Sequence, residues 1–231
     1  MARIRTPTSK IVGPVVNFKE TDLGFEYKDP KVLVFFGKKD SGVENLKTFY
    51  PNFDFKMLWQ IHSDLVVHTT PDFENNSVKA DSQWTEDKNV ALVSKSADCM
   101  PVLAINQSQD RILAVHAGWR GIQNRIIPKS IQKLGPGPQI FIGPHILKNS
   151  FEIKNDCFEL LSKSTQLHPN YWYQDNHADL YEIAINQIAE KYEPGNAIHS
   201  LLFDTKTDLR FHSFRRDGQS AGRQNSFIVL L

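Results

Sequence analysis

Short apolar runs separated by polar or glycine-containing breaks dominate the sequence, and this pattern predicts mainly β-strands. The clearest runs, KVLVFFG (31–37) and SFIVLL (226–231), are apolar at nearly every position, as strands buried on both faces are. Six segments carry the pattern, and two of them contain a pair of strands around a turn or polar break: 31–37, 55–70 (turn at His62 to Asp64), 89–106 (break at Ser94 to Cys99), 111–121 (ending in a glycine-flanked turn), 139–146 and 226–231.

Helical spacing of apolar residues occurs in fewer segments, namely 122–134, 156–164 and 179–192. In the first, Pro128 predicts a kink or a late start, because proline clashes with the carbonyl four residues earlier. In the third, Asp179 is the predicted N-cap and Glu182 stands at the capping-box position. Three residues share the predicted buried face of the second helix: Cys157, Leu160 and Leu161.

Strands outnumber helices and do not alternate with them, which is typical of the α+β class rather than of βαβ repeats. No internal repeat, low-complexity tract or shift in composition divides the chain, so residues 1–231 are predicted to form a single domain. A chain of 231 residues buries enough surface to be stable without disulfides. Cys99 and Cys157 are therefore not expected to pair.

The charge balance narrows the classes of partner. With 27 Lys and Arg against 26 Asp and Glu, the formal charge is +1, which argues against binding nucleic acid through a general basic surface. No run approaches the roughly 18 apolar residues of a membrane span. The N-terminal MARIRTPTSK is polar, and the following IVGPVV is too short for a signal-peptide core. We therefore expect a cytoplasmic protein with no membrane partner.

Three metal-competent side chains, His62, Cys99 and His116, stand where predicted strands end. Such side chains can converge while the sheet holds their backbones, and two histidines with one cysteine form a catalytic zinc set that leaves one position open. Their separations of 37 and 17 residues match no local metal motif. The alternative, two hydrogen-bonded histidines and a buried thiol, therefore stays open on spacing alone.

Arginines near these residues suggest an anion site. Arg120 lies between Gly118 and Gly121, directly after His116, and its planar fork of donors suits a phosphate or carboxylate. Arg215 and Arg216 follow in FHSFRRDG, where an extended segment would turn one of them inward and the other outward. The alternative for this last segment is a solvated turn with exposed arginines.

Several motifs together resemble the YfiH family, also called laccase-domain proteins, polyphenol oxidases or YfiH-type purine nucleoside phosphorylases. The resemblance runs in order from about residue 31 to the C-terminus and rests on six elements: QIHSD (60–64), KADSQWTEDKNVALVSKSADCMPVLA (79–104), RILAVHAGWRG (111–121), IFIGPHI (140–146), FEI (151–153) and FHSFRRDG with GRQ (211–224). It implies an α+β domain of layered mixed sheets flanked by helices, related to the deamidase domain of the cytotoxic necrotizing factor. It also implies that His62, Cys99 and His116 bind the family's metal.

The sequence departs from the family pattern in two regions. An N-terminal arginine of the family is absent, so any phosphate contact from this region would have to come from Lys38, Lys39 or Lys47. A lysine ammonium is a point charge and binds phosphate less selectively than a guanidinium group does. The family's Cys-Thr pair and the cysteines after its Ile-Gly-Pro segment are replaced by other residues: Asp204-Thr205, with His145 and Ser150 nearby.

The resemblance implies phosphorolysis of adenosine, inosine and methylthioadenosine, together with deamination of adenosine. Zinc would activate water for deamination, with Asp98 as a possible proton carrier, and phosphate held near Arg120, Arg215 and Arg216 would attack the ribose.

Three alternatives stay open beside this hypothesis. Cys99 could be the nucleophile of a metal-free hydrolase, activated by either of the two histidines. The chain could be a copper-dependent polyphenol oxidase, which its scattered histidines argue against because none forms a His-x-His pair; copper can nevertheless replace zinc. It could also be a binding module without catalysis.

Overall fold

Two six-stranded mixed β-sheets form the centre of the protein. The computed structural model describes residues 16–192 and 198–231. In spatial order the first sheet contains β1 (Lys19–Glu20), β2 (Gly24–Lys28), β3 (Val32–Gly37), β14 (Gln224–Leu230), β7 (Val90–Ser96) and β4 (Asp54–Met57). The second contains β13 (Ile198–Ser200), β10 (Gln139–Ile142), β8 (Met100–Ile105), β9 (Ile112–Ala117), β6 (Ser82–Thr85) and β5 (Val66–His68). A small separate pair is formed by β11 (Tyr173–Gln174) and β12 (His177–Ala178).

Most neighbouring strands run antiparallel, while β4–β7, β5–β6 and β10–β13 are parallel. The part of the chain that the structure describes contains six α-helices: α1 (Val43–Phe49), α2 (Trp119–Gln123), α3 (Ile126–Ile131), α4 (Asn155–Ser162), α5 (Leu180–Ala189) and α6 (Phe214–Asp217). The same part contains four 3₁₀ turns, at Gln132–Leu134, Lys148–Ser150, Pro169–Tyr171 and Gly218–Ser220. Across the described ranges, every helix is too short or too polar to cross a bilayer. The predicted α+β class with layered mixed sheets is confirmed.

The sheets pack face to face over a buried apolar layer, and helices cover their outer faces. On β8, side chains alternate as strand geometry requires: Leu103 and Ile105 contact the first sheet, whereas Val102 and Ala104 contact the helices on the other side. Leu46 of α1 packs on the outer face of the first sheet. The layers are thus helix, sheet, sheet and helices, and the strand ends open at one side of this stack.

The first predicted helix differs from the structure at its start. The glycine-flanked turn predicted after β9 is instead α2, which begins at Trp119 with Gly118 as its N-cap. The helix breaks at Arg125, whose φ is 64°, and resumes as α3. Pro128 lies in the first turn of α3, where its missing N–H is not needed, so the predicted late start is confirmed.

The other two predicted helices form, but the burial of one residue on them was predicted wrongly. Asp179 caps α5 by accepting a hydrogen bond from the Glu182 backbone N–H at 3.1 Å, although the Asp179 backbone N–H donates to Trp172 instead of to a capping box. On α4, Cys157 and Leu161 are buried, but Leu160 is 39% exposed. The helix is tilted so that only part of the predicted apolar face meets the core.

The segment around Arg215 and Arg216 is helical rather than extended. Ser213 caps α6, its hydroxyl accepting from the Arg216 backbone N–H at 3.2 Å, so the two arginines leave the chain about 100° apart instead of on opposite sides. Residues 1–15, which carry most of the N-terminal pattern used to predict location, lie outside the described residues.

Candidate metal centre

The side chains of His62, Cys99 and His116 converge, although they come from different parts of the chain. His62 lies in the loop after β4, Cys99 immediately precedes β8, and His116 stands near the end of β9, paired with Pro101. The Cys99 Sγ is 3.7 Å from the His62 Nε2, and one ligand atom from each of the three residues lies within 4.8 Å of the others. These residues could therefore hold one metal ion together.

Asp81, which the sequence analysis did not single out, organises this centre. Its carboxylate is almost completely buried and accepts hydrogen bonds from the backbone N–H groups of His62 and Ser63 at 2.9 and 2.6 Å. It also accepts one from the His116 Nδ1 at 2.8 Å, and since a carboxylate only accepts, Nδ1 carries the proton. The His116 Nε2 is therefore left with a lone pair for a metal.

The same bonds hold His62 in an unfavourable backbone conformation. Its φ is 60°, in the left-handed region that a non-glycine residue adopts only when its surroundings enforce it. The Ser63 hydroxyl adds a further bond to Asp81 at 2.7 Å. Burial would raise the pKa of Asp81, but the hydrogen bonds from His116 and Ser63 lower it to about 2, so the carboxylate stays charged.

Gly118 lies against two of the three ligands. A Cβ atom added there would be 2.9 Å from the His62 Cδ2 and 3.0 Å from the Cys99 Sγ, closer than real Cβ contacts. Its φ of −73° is open to any residue, so the glycine is required by the close approach and not by its backbone angle. The start of α2 thus forms one wall of the metal centre.

Cys99 and His116 shift the pKa of each other. Burial alone would raise the pKa of the Cys99 thiol, but His116 and His62 outweigh it and lower this pKa from 9.0 to about 6. Burial would lower the pKa of His116, but the Cys99 thiolate and the bond to Asp81 raise it to about 9. Each of the two groups therefore favours the charged form of the other, and a bound cation would compete with a proton for the Cys99 Sγ and the His116 Nε2.

The three residues line a cavity of about 770 Å³. Four cations also line it: Lys95, Arg120, Arg215 and Arg223. Aromatic rings contribute the apolar part of the wall, namely Trp59, Trp119, Phe151 and Phe214. The Arg120 guanidinium lies 4.4 Å from the centre of the Trp119 ring, and that of Arg215 lies 5.2 Å from the Phe151 ring. The cavity therefore combines an apolar wall with positive charge, as a site for an anionic or phosphate-dependent substrate does.

The structure brings Arg120 and Arg215 to this cavity but not Arg216. The Arg216 guanidinium donates to the backbone carbonyls of Thr205, Lys206 and Phe211 and forms an ion pair with Asp217 at 2.8 Å. Its donors are thus used to tie together the segment after β13. The expectation that Arg216 binds substrate has no support in its position.

Asp98 lines the cavity, with both of its carboxylate oxygens engaged. Oδ1 accepts from the Thr205 hydroxyl at 2.7 Å, and Oδ2 accepts from the Arg215 backbone N–H at 2.6 Å. Thr205, from the segment that departs from the family pattern, therefore holds Asp98, and Asp98 in turn holds α6. This arrangement favours a positioning role for Asp98 over the predicted proton transfer.

The remaining departures lie away from the cavity. Lys38 forms an ion pair with Glu20 at 2.7 Å, Lys47 forms one with Glu44 at 3.1 Å, and neither lines the cavity; nor does Lys39. The Ser150 hydroxyl donates to Asp204 at 2.5 Å. Lys38, Lys39 and Lys47 therefore add no positive charge to the lining of the cavity.

The distribution of histidines does not suit a multicopper enzyme. All eight histidines lie in the described ranges, and the one group of three or more ligating side chains found there is that of His62, Cys99 and His116. A second cluster for further copper ions is not found among the residues with described positions. A copper ion bound here would be a single one.

Comparison with known proteins places the chain among described relatives. Residues 15–231 match the family model described as multi-copper polyphenol oxidoreductase laccase. A purine nucleoside phosphorylase of Clostridium acetobutylicum is 29% identical over 93% of this chain and 99% of its own length. The purine nucleoside phosphorylase YfiH of Escherichia coli is 26% identical over 81% of this chain and 80% of its own.

Two solved structures share the fold. The hypothetical protein YfiH of Bacillus licheniformis superposes with a TM-score of 0.81 at 20% identity, covering 93% of this chain and 99% of its own. YlmD of Geobacillus stearothermophilus gives a TM-score of 0.80 at 19% identity, covering 94% and 99%. The relation to the cytotoxic necrotizing factor domain stays a prediction. With nearly the whole sequence matched by the family model, the chain belongs to the YfiH/laccase-domain family.

Proposed function

We propose that this protein is a zinc-dependent enzyme of purine nucleosides, which cleaves adenosine, inosine and methylthioadenosine with phosphate. The observation that carries the proposal is the convergence of His62, Cys99 and His116 within 4.8 Å in a cavity that four cations also line. The relatives named purine nucleoside phosphorylases support the reaction type. The cytoplasmic location and the lack of a nucleic-acid partner remain predictions.

The donor set suits zinc. With zinc–sulfur and zinc–nitrogen bonds of about 2.3 and 2.0–2.1 Å, a tetrahedral ion separates its sulfur and nitrogen ligands by about 3.6 Å. The 3.7 Å between the Cys99 Sγ and the His62 Nε2 agrees with this value. A neutral His116, whose Nδ1–H donates to Asp81, would supply its Nε2 as the third ligand. A fourth position on the metal would then stay open. When bound, zinc would supply Lewis acidity at that open position.

In phosphorolysis, the chain would position two reactants. Arg120 and Arg215 would bind the phosphate, because a guanidinium group can donate two parallel hydrogen bonds to phosphate oxygens. Asp98 would hold Arg215 in place by accepting from the Arg215 backbone N–H. The exposed faces of Trp59 and Phe214, which are 55% and 46% exposed at the cavity, offer surfaces on which a purine can stack. The phosphate oxygen then bonds to the anomeric carbon while the bond to the base breaks.

Deamination of adenosine is proposed as a second reaction of the same cavity. It requires water instead of phosphate at the reacting carbon and releases ammonia. Since the Asp98 oxygens are engaged, we assign no proton transfer to Asp98 in this reaction. Copper is a possible substitute for zinc because it binds such ligands more tightly, so phenol oxidation with added copper does not test the proposal.

The test is metal content followed by product analysis. Zinc-loaded protein should convert adenosine and phosphate to adenine and ribose 1-phosphate, and to inosine where deamination occurs. A chelator should abolish both reactions and zinc should restore them, while His116→Ala should be inactive and the exposed control His68→Ala should be active. Full release of adenine and inosine by His116→Ala would contradict the proposal. A full complement of metal without turnover of any nucleoside would favour the binding module.

The lowered pKa of Cys99 favours one second candidate, a metal-free hydrolase in which the Cys99 thiolate is the nucleophile and His116 its partner. Protein purified without metal separates the two mechanisms. Activity that survives chelation and is lost on alkylation of Cys99 would support the thiolate, whereas activity that depends on zinc would exclude it.

A further inference from the structure

The four cations of the cavity form two pairs at different places. Arg223 directly precedes Gln224, which pairs with Ser96, and Asn225 pairs with Lys95. Arg223 precedes the first residue of β14 and lies two positions from Asn225, the partner of Lys95, so the two cations are diagonal neighbours at the end of the sheet, about 7–8 Å apart at the backbone. Both line the cavity.

Arg120 and Arg215 form the other pair. They are carried by α2 and α6, and each lies over a ring of the cavity wall. Burial raises the pKa of the Cys157 thiol to about 11, while the charges of both arginines act to lower it, which places the two guanidinium groups near the same point of α4. The Arg215 backbone is bonded to Asp98, next to Cys99, so this pair adjoins the metal ligands.

Contacts fix both members of the first pair: the Arg223 Nη1 donates to the backbone carbonyls of Ala221 and Gly222 at 2.8 Å each, and Lys95 is bonded through its backbone and its side chain. The Gln60 side chain bonds to the Lys95 backbone in both directions, donating to its carbonyl at 2.7 Å and accepting from its N–H at 2.8 Å. The Lys95 Nζ donates to the Asn76 side chain at 3.2 Å. Burial and the charge of Arg223 lower the pKa of Lys95, as expected for two cations that lack a compensating anion.

One phosphate does not neutralise this cavity. The four cations face the single carboxylate of Asp98, so these side chains together carry an excess of three positive charges before any metal is counted. Within the described part of the chain, none of the four cations forms an ion pair with an acidic side chain. An inorganic phosphate dianion at Arg120 and Arg215 would leave Lys95 and Arg223 unmatched.

We propose that Lys95 and Arg223 form a second anion subsite, which binds a phosphate monoester on the substrate itself, so that the preferred substrate is a purine nucleoside monophosphate. Cys99 lies four positions after Lys95 in the sequence, so their Cα atoms are at most about 14 Å apart. The substrate's ribose can therefore lie at the metal centre while its phosphate reaches this pair. The inference rests on the proposed function for the reacting groups.

The reaction balances without a further reactant. An oxygen of the inorganic phosphate dianion bonds to the anomeric carbon, and the bond from that carbon to the purine nitrogen breaks. The electron pair leaves with the purine, which takes the proton of the phosphate hydroxyl. The products are a ribose bisphosphate and the neutral base, and nothing is oxidised or reduced.

The test compares adenosine with adenosine 5′-monophosphate at saturating inorganic phosphate, using zinc-loaded protein. The wild type should have the higher kcat/KM for the monophosphate. Lys95→Gln and Arg223→Gln should each lower that value by about 10- to 100-fold, the range for a hydrogen bond to a charged group, and leave the value for adenosine nearly unchanged. The control Lys28→Gln removes an exposed lysine far from the cavity and should change neither value.

Three results would overturn the inference: a wild type that prefers adenosine, variants that act like the wild type, or variants that lose both substrates equally, which would assign the pair to inorganic phosphate. Lys95→Met, which keeps the aliphatic stem, replaces Lys95→Gln if that protein does not fold. Calorimetric binding of the two ligands without inorganic phosphate separates this inference from the proposed reaction. If nothing is turned over, tighter binding of the monophosphate that depends on Lys95 still supports the subsite, and equal binding overturns it.

Discussion

Replacing Gly118 by alanine should weaken metal binding without disturbing the fold. The added methyl group would lie 2.9 Å from the His62 Cδ2 and 3.0 Å from the Cys99 Sγ. Because non-bonded carbon atoms prefer a separation of about 3.5–4.0 Å, the two ligands must move away by roughly 0.5 Å or more. Metal sites tolerate deviations of only about 0.2 Å in ligand distance, so we expect a loss of about 10- to 100-fold in zinc affinity.

The assay is competition for zinc between the protein and a chromophoric chelator, with circular dichroism as the check on folding. Gly42→Ala is the matched control, because Gly42 is also a helix N-cap with negative φ and has no neighbour within 4 Å of the added Cβ. Both variants change a cap by at most about 1 kcal/mol, so only the ligand contact differs. Zinc affinity of Gly118→Ala equal to that of Gly42→Ala would show that the close approach does not constrain the ligands.

Three further predictions follow from the contacts around the site. Asp81→Asn should lower zinc affinity by about 10- to 100-fold, measured by the same competition, because the His116 ring loses its charged acceptor; unchanged affinity would remove Asp81 from the metal centre. Arg215→Met should raise the KM for phosphate and leave the free energy of unfolding unchanged. Arg216→Met should lower the free energy of unfolding by about 1–3 kcal/mol and leave that KM unchanged. The reverse pattern in kinetics and urea denaturation would refute the assignment of Arg215 to the cavity and of Arg216 to the fold. Burial lowers the pKa of His145 from 6.5 to about 4, so the neutral ring stabilises the fold fully above pH 6.5, and this stability is lost as the pH falls to 4. Between these pH values the free energy of unfolding of the wild type should fall by roughly 3 kcal/mol more than that of His145→Gln. Urea denaturation that shows the same loss for both proteins between pH 7 and pH 4.5 would contradict this.

The strands were predictable because burial on both faces leaves a direct trace in the sequence. The run 31–37 is apolar at almost every position, and segment 89–106 consists of two apolar runs whose polar break before Cys99 marks where one strand ends and the next begins. The helix at Trp119 was not predictable from spacing. Its short length and its start at a glycine give no apolar period, so the sequence resembles a turn there.

The convergence of His62, Cys99 and His116 was predicted from strand ends and from the family resemblance, whereas the carboxylate that supports it was not. Asp81 acts through hydrogen bonds to a loop 18 residues away in sequence and to a ring 35 residues away, and a buried charge has no periodic pattern. Arg215 and Arg216 could not be told apart because their directions depend on whether α6 forms. That depends in turn on the Ser213 cap and on the bond from Arg215 to Asp98.

The position of β14 has a consequence for synthesis of the protein. This strand, Gln224–Leu230, lies inside the first sheet, paired with β3 on one side and with β7 on the other. Until these residues leave the ribosome, β3 and β7 have no common neighbour and Arg223 is missing from the cavity. The nascent chain therefore carries His62, Cys99 and His116 before the first sheet can be completed, and the edges of β3 and β7 that β14 will cover stay unpaired during that interval.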